Sequence, residues 1–364
     1  MDPTVGGERA RRDGLRHVAE GVPYANWLER AAPFDETLPV EIASANMIPL
    51  GVLPGIPGCL SLGHTDLQQA MLDESLRRGA SVVRGVTDVD TTLGAAPEVS
   101  YTADGQRHTV RARLVVGADG RESGVRRAAG LKLSSTTARV NIAGMLVEGV
   151  YSWPQDVSAT GVEDDLHFLI FPQAAGRMRL YATWDAQDRQ RFAGPDRQQR
   201  FLDAFRLSCV AGSDEIAAAT PAGPCVTVPM TDTWTDITAI DGAVLIGDAA
   251  GWSDPTIGQG LSVTFRDVRI VTDLLATNMT WTTEMFEPYA TERAERMRRL
   301  RFANAAVGLA FDFGEQARAR RVRLNKLFLA DPLRYSPFTP VLAGPWRTPD
   351  EAFTDDTWNT LVNA

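Results

Sequence analysis

The 364-residue sequence lacks the features of several common protein classes. Its three cysteines, Cys59, Cys209 and Cys225, are far apart and show no metal-binding spacing, which is typical of a protein from a reducing cytoplasm. No apolar run reaches the roughly 18 residues of a membrane-spanning helix. The N-terminal stretch is polar and charged, unlike a signal peptide. We therefore expect a cytoplasmic protein without a transmembrane segment.

Lysine is nearly absent, because Lys132 and Lys326 are the only two lysines and arginine carries almost all of the positive charge. The net charge of −9 at pH 7 argues against a nucleic-acid partner. A hydrophobic content of 44% and a charged content of 23% are ordinary for a globular protein. The length allows two domains with a substantial core.

The stretch that follows Ala243 combines several ligand-binding features. An apolar strand over residues 243–246 delivers Gly247 and Asp248 at its carboxyl end. A loop containing Pro255, Gly258, Gln259 and Gly260 follows, and then a helical pattern that places Leu261, Phe265 and Val268 on one face. This order of strand, carboxylate, glycine-rich loop and helix presents ligand groups at the end of a parallel sheet. Asp248 would accept hydrogen bonds from hydroxyls, and the helix start would point N–H groups at an anion.

A second strand, residues 112–116, leads to Asp119 and Gly120, 129 positions before Asp248. The segment 247–260 resembles the ribityl-binding motif of the FAD-dependent aromatic hydroxylases, the single-component flavoprotein monooxygenases. The segment 114–126 resembles a second motif of the same family. Both motifs, in this order and at this spacing, indicate common ancestry. The alternative is a plain strand–turn–helix in another α/β protein.

The resemblance implies cofactor-binding residues in several segments: His64, Val89, Asp119, Gly120, Gly247, Asp248, Pro255, Gly258, Gln259, Gly260 and Leu261. His64 departs from the family, which usually has Arg or Gln near this position. Imidazole can still donate a hydrogen bond, and the alternative is a histidine facing water at a helix start. Arg121 and Arg126 are candidates to neutralise phosphate, against the alternative of surface charge. The residue pattern identifies no catalytic acid or base.

The resemblance also implies an α/β fold, in which an antiparallel-sheet substrate domain interrupts a Rossmann-like FAD-binding domain that is incomplete at the N-terminus. We assign residues 1–34, 60–135 and 240–330 to the FAD-binding domain. We assign residues 35–59 and 136–239 to the substrate domain, and 331–364 to an irregular C-terminal tail. Aromatic residues of the substrate domain are candidates for the substrate pocket: Phe168, Phe171, Tyr181 and Trp184.

Local patterns predict individual elements. Residues 15–32 and 64–78 are predicted to be helical, with Thr65 capping the second helix. Residues 166–171 and 177–183 are predicted to form a hairpin. The arginine clusters at 293–301 and 318–323 are predicted to be solvated helix faces.

The family normally opens with a strand, a Gly-x-Gly-x-x-Gly turn and a helix, and no glycine of this sequence stands in that context. The missing unit would be roughly 30–40 residues long. We therefore expect the chain, expressed alone, to be poorly soluble or to retain little flavin. Arg9, Arg11 or Arg12 are candidates for a position near the pyrophosphate, but a solvated helix face is the preferred alternative.

The resemblance implies an FAD-dependent oxidoreductase of the monooxygenase type. NADH or NADPH would supply electrons, and molecular oxygen would supply the atom transferred to a small hydrophobic or aromatic metabolite. One alternative is a truncated or mis-started flavoprotein fragment with weak or no FAD binding and no turnover. Another is a flavin-dependent reductase of the same superfamily. The substrate, the choice of nicotinamide cofactor and the oligomeric state stay open.

Overall fold

The computed structural model describes residues 16–35 and 47–364. The arginines predicted near the pyrophosphate, at positions 9–12, lie outside the described residues. The chain forms two compact units. The first unit contains the described part of Met1–Val82 together with Arg139–Pro229 and Phe311–Val322. The second unit contains Val83–Ala138, Met230–Ala310 and Arg323–Ala364.

The core of the first unit is an eight-stranded sheet. In order across the sheet its strands are Thr220–Pro221, Val140–Glu148, Arg177–Asp185, Leu166–Pro172, Val157–Glu163, Arg30–Asp35 and Ile48–Pro49, with Val226–Pro229 also pairing with Val140–Glu148. Neighbouring strands are antiparallel, except that Arg30–Asp35 runs parallel to Val157–Glu163. The predicted hairpin of residues 166–183 is present. Asn26–Leu28 and Cys59–Ser61 form a separate antiparallel pair.

Strand alternation explains how this sheet buries one face. Met178, Leu180 and Ala182 are at most 1% exposed and point to the same side, whereas the residues between them are more open. The helices Arg197–Asp203 and Ser213–Ala217 contribute Phe201 and Ile216 to the same core. Trp184 and Phe168 also belong to this core, so they are packing residues and not open pocket walls.

Two local predictions in the first unit are wrong. Residues 26–35 form strands instead of continuing a helix, because Arg30–Asp35 pairs with Val157–Glu163 and buries Ala32 and Phe34 in alternation. Tertiary pairing outweighs local propensity here. The helix His64–Arg77 is present as predicted, but its N-cap is Gly63 and Thr65 does not cap it.

His167 lies in the sheet of the first unit with its imidazole 3% exposed. It stacks on Phe311 with 4.2 Å between ring centroids, and its ring nitrogens share hydrogen bonds with the hydroxyls of Thr160 and Thr183, at 3.0 and 3.3 Å. Burial lowers the pKa of His167 to about 3. The folded protein therefore holds this side chain neutral at physiological pH.

We expect His167 to make the free energy of unfolding decrease as the pH is lowered. The unfolded chain binds a proton near pH 6.5 and the folded chain near pH 3, so the stabilisation is complete above pH 6.5 and is lost as the pH falls toward 3. Between these two pH values, His167 should contribute about 1.4 kcal/mol per pH unit to the slope of the unfolding free energy against pH. Urea unfolding between pH 5 and 7.5 should show a smaller dependence of the unfolding free energy on pH in His167→Gln than in the wild type. Equal pH dependence in the two proteins would contradict this role of His167.

The second unit contains two three-stranded sheets and one short pair. One sheet consists of Thr87–Thr92, Glu98–Ala103 and Gln106–Arg111, with Asp104 and Gly105 in the turn between the last two strands. The other has the order Ala239–Ile240, Ala243–Leu245 and Val115–Gly117. Ser134–Ser135 pairs with Thr233–Trp234.

Helices make up most of the remainder. The α-helices of the second unit are Gly124–Ala128, Gly260–Thr277, Glu287–Ala310, Pro332–Tyr335, Phe338–Leu342 and Asp355–Val362, and residues 323–330 of the helix Glu315–Ala330 also belong to it. The 3-10 turns are Gly247–Ala250, Pro255–Ile257, Thr283–Phe286, Pro345–Arg347 and Asp350–Phe353. The predicted irregular tail is therefore wrong, since residues 332–362 are largely helical and Phe353 and Leu361 are buried. No helix in the described part of the chain is both long and apolar enough to cross a membrane.

The helix Gly260–Thr277, called the central helix below, does not bury the apolar face that its sequence predicts. Val263, Asp267 and Val271 are its buried residues. Leu261, Phe265 and Val268, which share one face, are 40%, 39% and 42% exposed. In the sheet that precedes the helix, Val115–Gly117 is an edge strand among the described residues, and Val116 is 41% exposed. The inward face therefore carries a carboxylate, that of Asp267, between two valines.

Candidate cofactor site

The two predicted motifs meet at one edge of a sheet in the second unit. Ala243–Leu245 pairs in parallel with Val115–Gly117, with Leu245 opposite Gly117. Parallel strands end at the same edge, so the turn containing Asp119 and Gly120 and the turn containing Gly247 and Asp248 emerge side by side. This pairing brings the Asp119 and Asp248 motifs together in space although 129 positions separate them in the sequence.

Arg126 connects the two turns directly. Its guanidinium donates to the backbone oxygen of Ala249 at 2.9 Å and to that of Arg121 at 2.7 Å. The side chain is only 7% exposed. Neither prediction for Arg126, phosphate neutralisation or surface charge, matches this position. The residue ties the turns together because a buried guanidinium must find acceptors, and the backbone carbonyls supply them.

The two aspartates differ in their freedom to bind a ligand. Asp119 Oδ2 accepts from the backbone N–H groups of Gly124 and Val125, at 2.7 and 3.1 Å, in the first turn of a short helix whose N-cap is Ser123. Asp248 lies 3.5 Å from Arg121 Nε, and both side chains are about 40% exposed. Arg121 also lies over the ring of Trp252, 5.0 Å from its centroid. Both carboxylates are therefore accessible at this edge, but Asp119 already accepts two backbone bonds through Oδ2, whereas the contact of Asp248 is with the mobile end of a half-exposed arginine.

A buried ionic cluster holds the Gly247 turn from behind. Asp267 is 0% exposed, and its Oδ2 accepts from Gly247 N at 2.8 Å and from Arg293 Nε at 3.0 Å. Arg293 also donates to the backbone oxygens of Gly247 and Gly251 at 2.9 Å, and to that of Ala250 at 3.2 Å. One arginine thus satisfies three carbonyls of the turn that presents Asp248.

Arg296 completes the cluster by donating to Asp267 Oδ1 at 2.6 Å. Burial alone would lower the pKa of Arg296, but the carboxylates of Asp267 and Glu292 outweigh it and raise that pKa. The prediction that residues 293–301 form a solvated face is wrong, because Arg293, Arg296 and Arg299 are 2%, 4% and 7% exposed. Arg321, in the other predicted solvated cluster, is buried against Asp35.

Pro255 and the start of the central helix are held by a second buried carboxylate. Asp232 is 6% exposed, and its oxygens accept from Asp254 N at 3.0 Å and from Asn304 Nδ2 at 3.3 Å. Asp254 in turn caps the turn Pro255–Ile257 by accepting from Thr256 N at 2.9 Å. Burial raises the pKa of Asp232. These contacts fix the loop between the Gly247 turn and the central helix.

The start of the central helix is open to a ligand. Its N-cap, Gln259, makes no side-chain capping bond to the first turn. A Cβ atom added at Gly258 or Gly260 would meet nothing within 4 Å, and Gly258 has a φ of +63° that favours glycine. By contrast, Gly247 has a φ of +57° and a Cβ there would lie 2.8 Å from Thr264 Oγ1, so this glycine is required by packing.

The remaining predicted site residues occupy different places. Gln259 Nε2 donates to Val341 O at 3.2 Å, so its amide anchors the C-terminal region. Val89 lies exposed in the strand Thr87–Thr92, which packs against the helix Gly124–Ala128. His64 begins its helix in the first unit, is exposed, and shares a hydrogen bond with Gln68 at 3.1 Å. The contribution of His64 and Val89 to a cofactor site stays a prediction.

A family model described as an FAD binding domain matches residues 35–302. The chain belongs to this family of FAD-dependent oxidoreductases, as the resemblance to aromatic hydroxylases predicted. The predicted α/β fold class is confirmed. The expected absence of a glycine-rich N-terminal unit stays a prediction.

Two curated relatives and one solved structure are similar to the chain. It is 28% identical over 291 residues to digeranylgeranylglycerophospholipid reductase 2 of Methanopyrus kandleri, covering 74% of this chain and 69% of the relative. It is 28% identical over 287 residues to ubiquinone hydroxylase UbiL of Rhodospirillum rubrum, covering 74% and 63%. The structure of HpxO from Klebsiella pneumoniae, complexed with FAD and uric acid, aligns with a TM-score of 0.63 and 20% identity, covering 79% of this chain and 72% of HpxO. The chain thus spans about two thirds of the length of these curated relatives.

The groups at this edge fit the ribityl chain and flavin edge of FAD. Asp248 offers oxygens that accept from hydroxyls, and the central helix offers uncapped N–H groups at the positive end of its dipole. The free space at Gly258 and Gly260 permits close approach by a flat ring. The described residues of the second unit thus suit this half of the cofactor.

Proposed function

We propose that the protein is an NADH- or NADPH-driven monooxygenase that binds FAD at the sheet edge of the second unit and oxygenates a small hydrophobic or aromatic compound. FAD, when bound, supplies the redox and oxygen chemistry. The residues of the chain bind and orient it. The observation that carries the proposal is the parallel pairing of the two motif strands, with Arg126 joining their turns.

In this proposal Asp248 accepts hydrogen bonds from the ribityl hydroxyls. The first turn of the central helix donates N–H groups toward the electron-rich edge of the flavin, where its dipole favours negative charge. Pro255 and Leu261 line the same edge. Asp267 and Arg293 act behind the site, because they fix the carbonyls of residues 247–251 and so the direction of Asp248.

A reductase is the second candidate function, favoured by the similarity to the Methanopyrus kandleri reductase. A reductase would use the same FAD-binding residues. It would differ from the monooxygenase in the compound that accepts the electrons of the flavin. Consumption of oxygen coupled to a hydroxylated product would support the monooxygenase, whereas saturation of a substrate double bond without oxygen would support the reductase.

We expect Asp248→Ala to weaken FAD binding by about 10- to 100-fold, because a hydrogen bond to a charged group contributes about 1.5–3 kcal/mol. Equilibrium dialysis against excess FAD measures the affinity even if the purified chain is colourless. Asp241→Ala is the matched control, since Asp241 is exposed at the opposite end of the same strand. Equal FAD affinity in the two variants would contradict the assignment of Asp248.

A further inference from the structure

Two leucines project into solvent at the end of the helix Glu315–Ala330. Leu329, in the last turn of the helix, is 85% exposed, and Leu333, just beyond its end, is 54% exposed. Leu324, on the other side of the helix, is only 1% exposed, so the helix buries one side and presents the other. Residues 323–333, called the leucine patch below, all belong to the second unit. Two large apolar side chains exposed in one short segment indicate a contact surface.

The leucine patch also carries positive charge. Arg323 and Lys326 are exposed, and neither forms an ion pair within 4 Å among the residues that the structure describes. The next arginine along the chain, Arg334, is paired with Asp356. The acid nearest in sequence, Asp331, accepts a hydrogen bond from the backbone N–H of Arg334 at 3.1 Å and so caps the following helix. The cations of Arg323 and Lys326 are therefore available to a partner.

This positive charge contrasts with the rest of the chain. The net charge of the whole chain is −9, yet residues 316–330 contain five cationic side chains and no acidic one. A cluster of one sign attracts partners of the opposite sign. Lys326 also has a long aliphatic stem, which can lie along an apolar phase while its ammonium group stays in water. The leucine patch thus fits a partner that is anionic at its surface and apolar beneath.

A bilayer that contains anionic lipids has both properties. Its phosphate headgroups attract arginine and lysine, and the acyl chains below them accept leucine side chains. A nucleic acid also offers phosphates, but it would leave the leucines in water. A folded protein partner would need a pocket shaped to the projecting Leu329, whereas fluid acyl chains accommodate such a side chain without a preformed pocket. The combination of charge and exposed leucine therefore favours a lipid surface.

We propose that the leucine patch binds the surface of an anionic lipid bilayer. Leu329 and Leu333 insert below the headgroups, and Arg323 and Lys326 contact the lipid phosphates. The attachment is reversible, because two leucines and two cations are few anchoring groups. This inference goes beyond the proposed function and does not depend on the cofactor.

The test is flotation of the full chain with lipid vesicles in a density gradient, where vesicle-bound protein rises and aggregated protein sinks. The vesicles consist of phosphatidylcholine alone or of phosphatidylcholine and phosphatidylglycerol in equimolar amounts. We expect a partition coefficient at least about tenfold higher with phosphatidylglycerol, because each cation near an anionic surface strengthens binding. High salt should remove most of this difference, since it screens the charges.

Two double variants separate the two contributions. Arg323→Gln combined with Lys326→Gln should remove the preference for phosphatidylglycerol. Leu329→Ser combined with Leu333→Ser should lower the partition coefficient for both kinds of vesicle by at least about tenfold, because the apolar contact is lost. The replaced side chains are exposed, so thermal melting should show that both variants fold like the wild type.

Ile237→Ser and Arg111→Gln are the matched controls, and both should float like the wild type. Ile237 is 50% exposed in the second unit, but it follows the acidic Asp236. The side chain of Arg111 is 89% exposed and pairs with Glu98. Equal partitioning of the wild type into the two kinds of vesicle, or unchanged flotation of the double leucine variant, would overturn the proposal.

Sedimentation velocity without lipid tests a second copy of the chain as the occupant of the leucine patch. We expect the sedimentation coefficient of the wild type to be independent of concentration and equal to that of the double leucine variant. Self-association that disappears in this variant, together with no flotation of the wild type, would show that another copy covers the patch. That result would also overturn the proposal.

Discussion

Replacing Arg293 with alanine should lower the free energy of unfolding of the second unit by about 3–5 kcal/mol, because it removes one of the two buried arginines that pair with the buried Asp267 carboxylate. The same substitution removes the donor to three carbonyls of residues 247–251. Arg293→Lys should also be destabilising, since a single ammonium group cannot reproduce the forked geometry that joins Asp267 to the turn.

The measurement is urea unfolding followed by circular dichroism. Arg111→Ala is the control, because Arg111 is 89% exposed and pairs with Glu98 at the surface, where such a pair contributes about 0–1 kcal/mol. If Arg293→Ala unfolds at the same urea concentration as Arg111→Ala, the cluster does not have the structural role inferred for it. The predicted order of stability is wild type, Arg111→Ala, Arg293→Lys and Arg293→Ala.

Gly260→Asp should separate folding from cofactor binding. A Cβ at Gly260 meets nothing within 4 Å, and a carboxylate in the first turn of a helix stabilises it by about 0.3–1 kcal/mol. The added side chain would nevertheless occupy the approach to the helix start and repel an electron-rich ligand. We therefore expect unchanged or higher stability together with at least about tenfold weaker FAD binding, which corresponds to about 1.4 kcal/mol.

Gly308→Asp is the matched control for this substitution. Gly308 is also helical, exposed and free of neighbours within 4 Å of an added Cβ, but it lies in the helix Glu287–Ala310. FAD affinity in Gly308→Asp should equal that of the wild type, as measured by quenching of flavin fluorescence. A similar loss of affinity in both variants would mean that the helix start has no special contact with the cofactor.

The motif strands and their turns were predictable because their chemistry is local. An apolar run followed by Gly247 and Asp248 specifies both the strand and the turn that ends it. The sheet edge that joins them to Asp119 followed from the family resemblance. The hairpin of residues 166–183 in the first unit was equally evident, since alternation in residues 177–181 and the turn before them are both short-range signals.

The buried arginines were not predictable from the same kind of pattern. Arg293 and Arg296 lie in a helix dense in charge, and such a pattern is typical of a solvated face. Their acceptors are a carboxylate 26 residues away from Arg293 and backbone carbonyls of a turn, and neither leaves a local signal. An aspartate at position 267, inside the apolar central helix, was the available clue, because a buried carboxylate requires a cation.

The strand Arg30–Asp35 was missed for a related reason. Its partner, Val157–Glu163, is more than 120 positions away, and the local sequence around Leu28 and Ala31 is compatible with a helix. The buried face of the central helix was also not predictable from apolar periodicity, since Val263, Asp267 and Val271 point inward whereas Leu261, Phe265 and Val268 are about 40% exposed.

A crystal structure of the chain soaked with FAD tests the central claim most directly. We expect ribityl hydroxyls within about 2.6–3.2 Å of the Asp248 carboxylate and the flavin edge against the N–H groups of residues 260–262. Flavin density at another surface, with Asp248 still paired to Arg121 and no ligand at the start of the central helix, would contradict it.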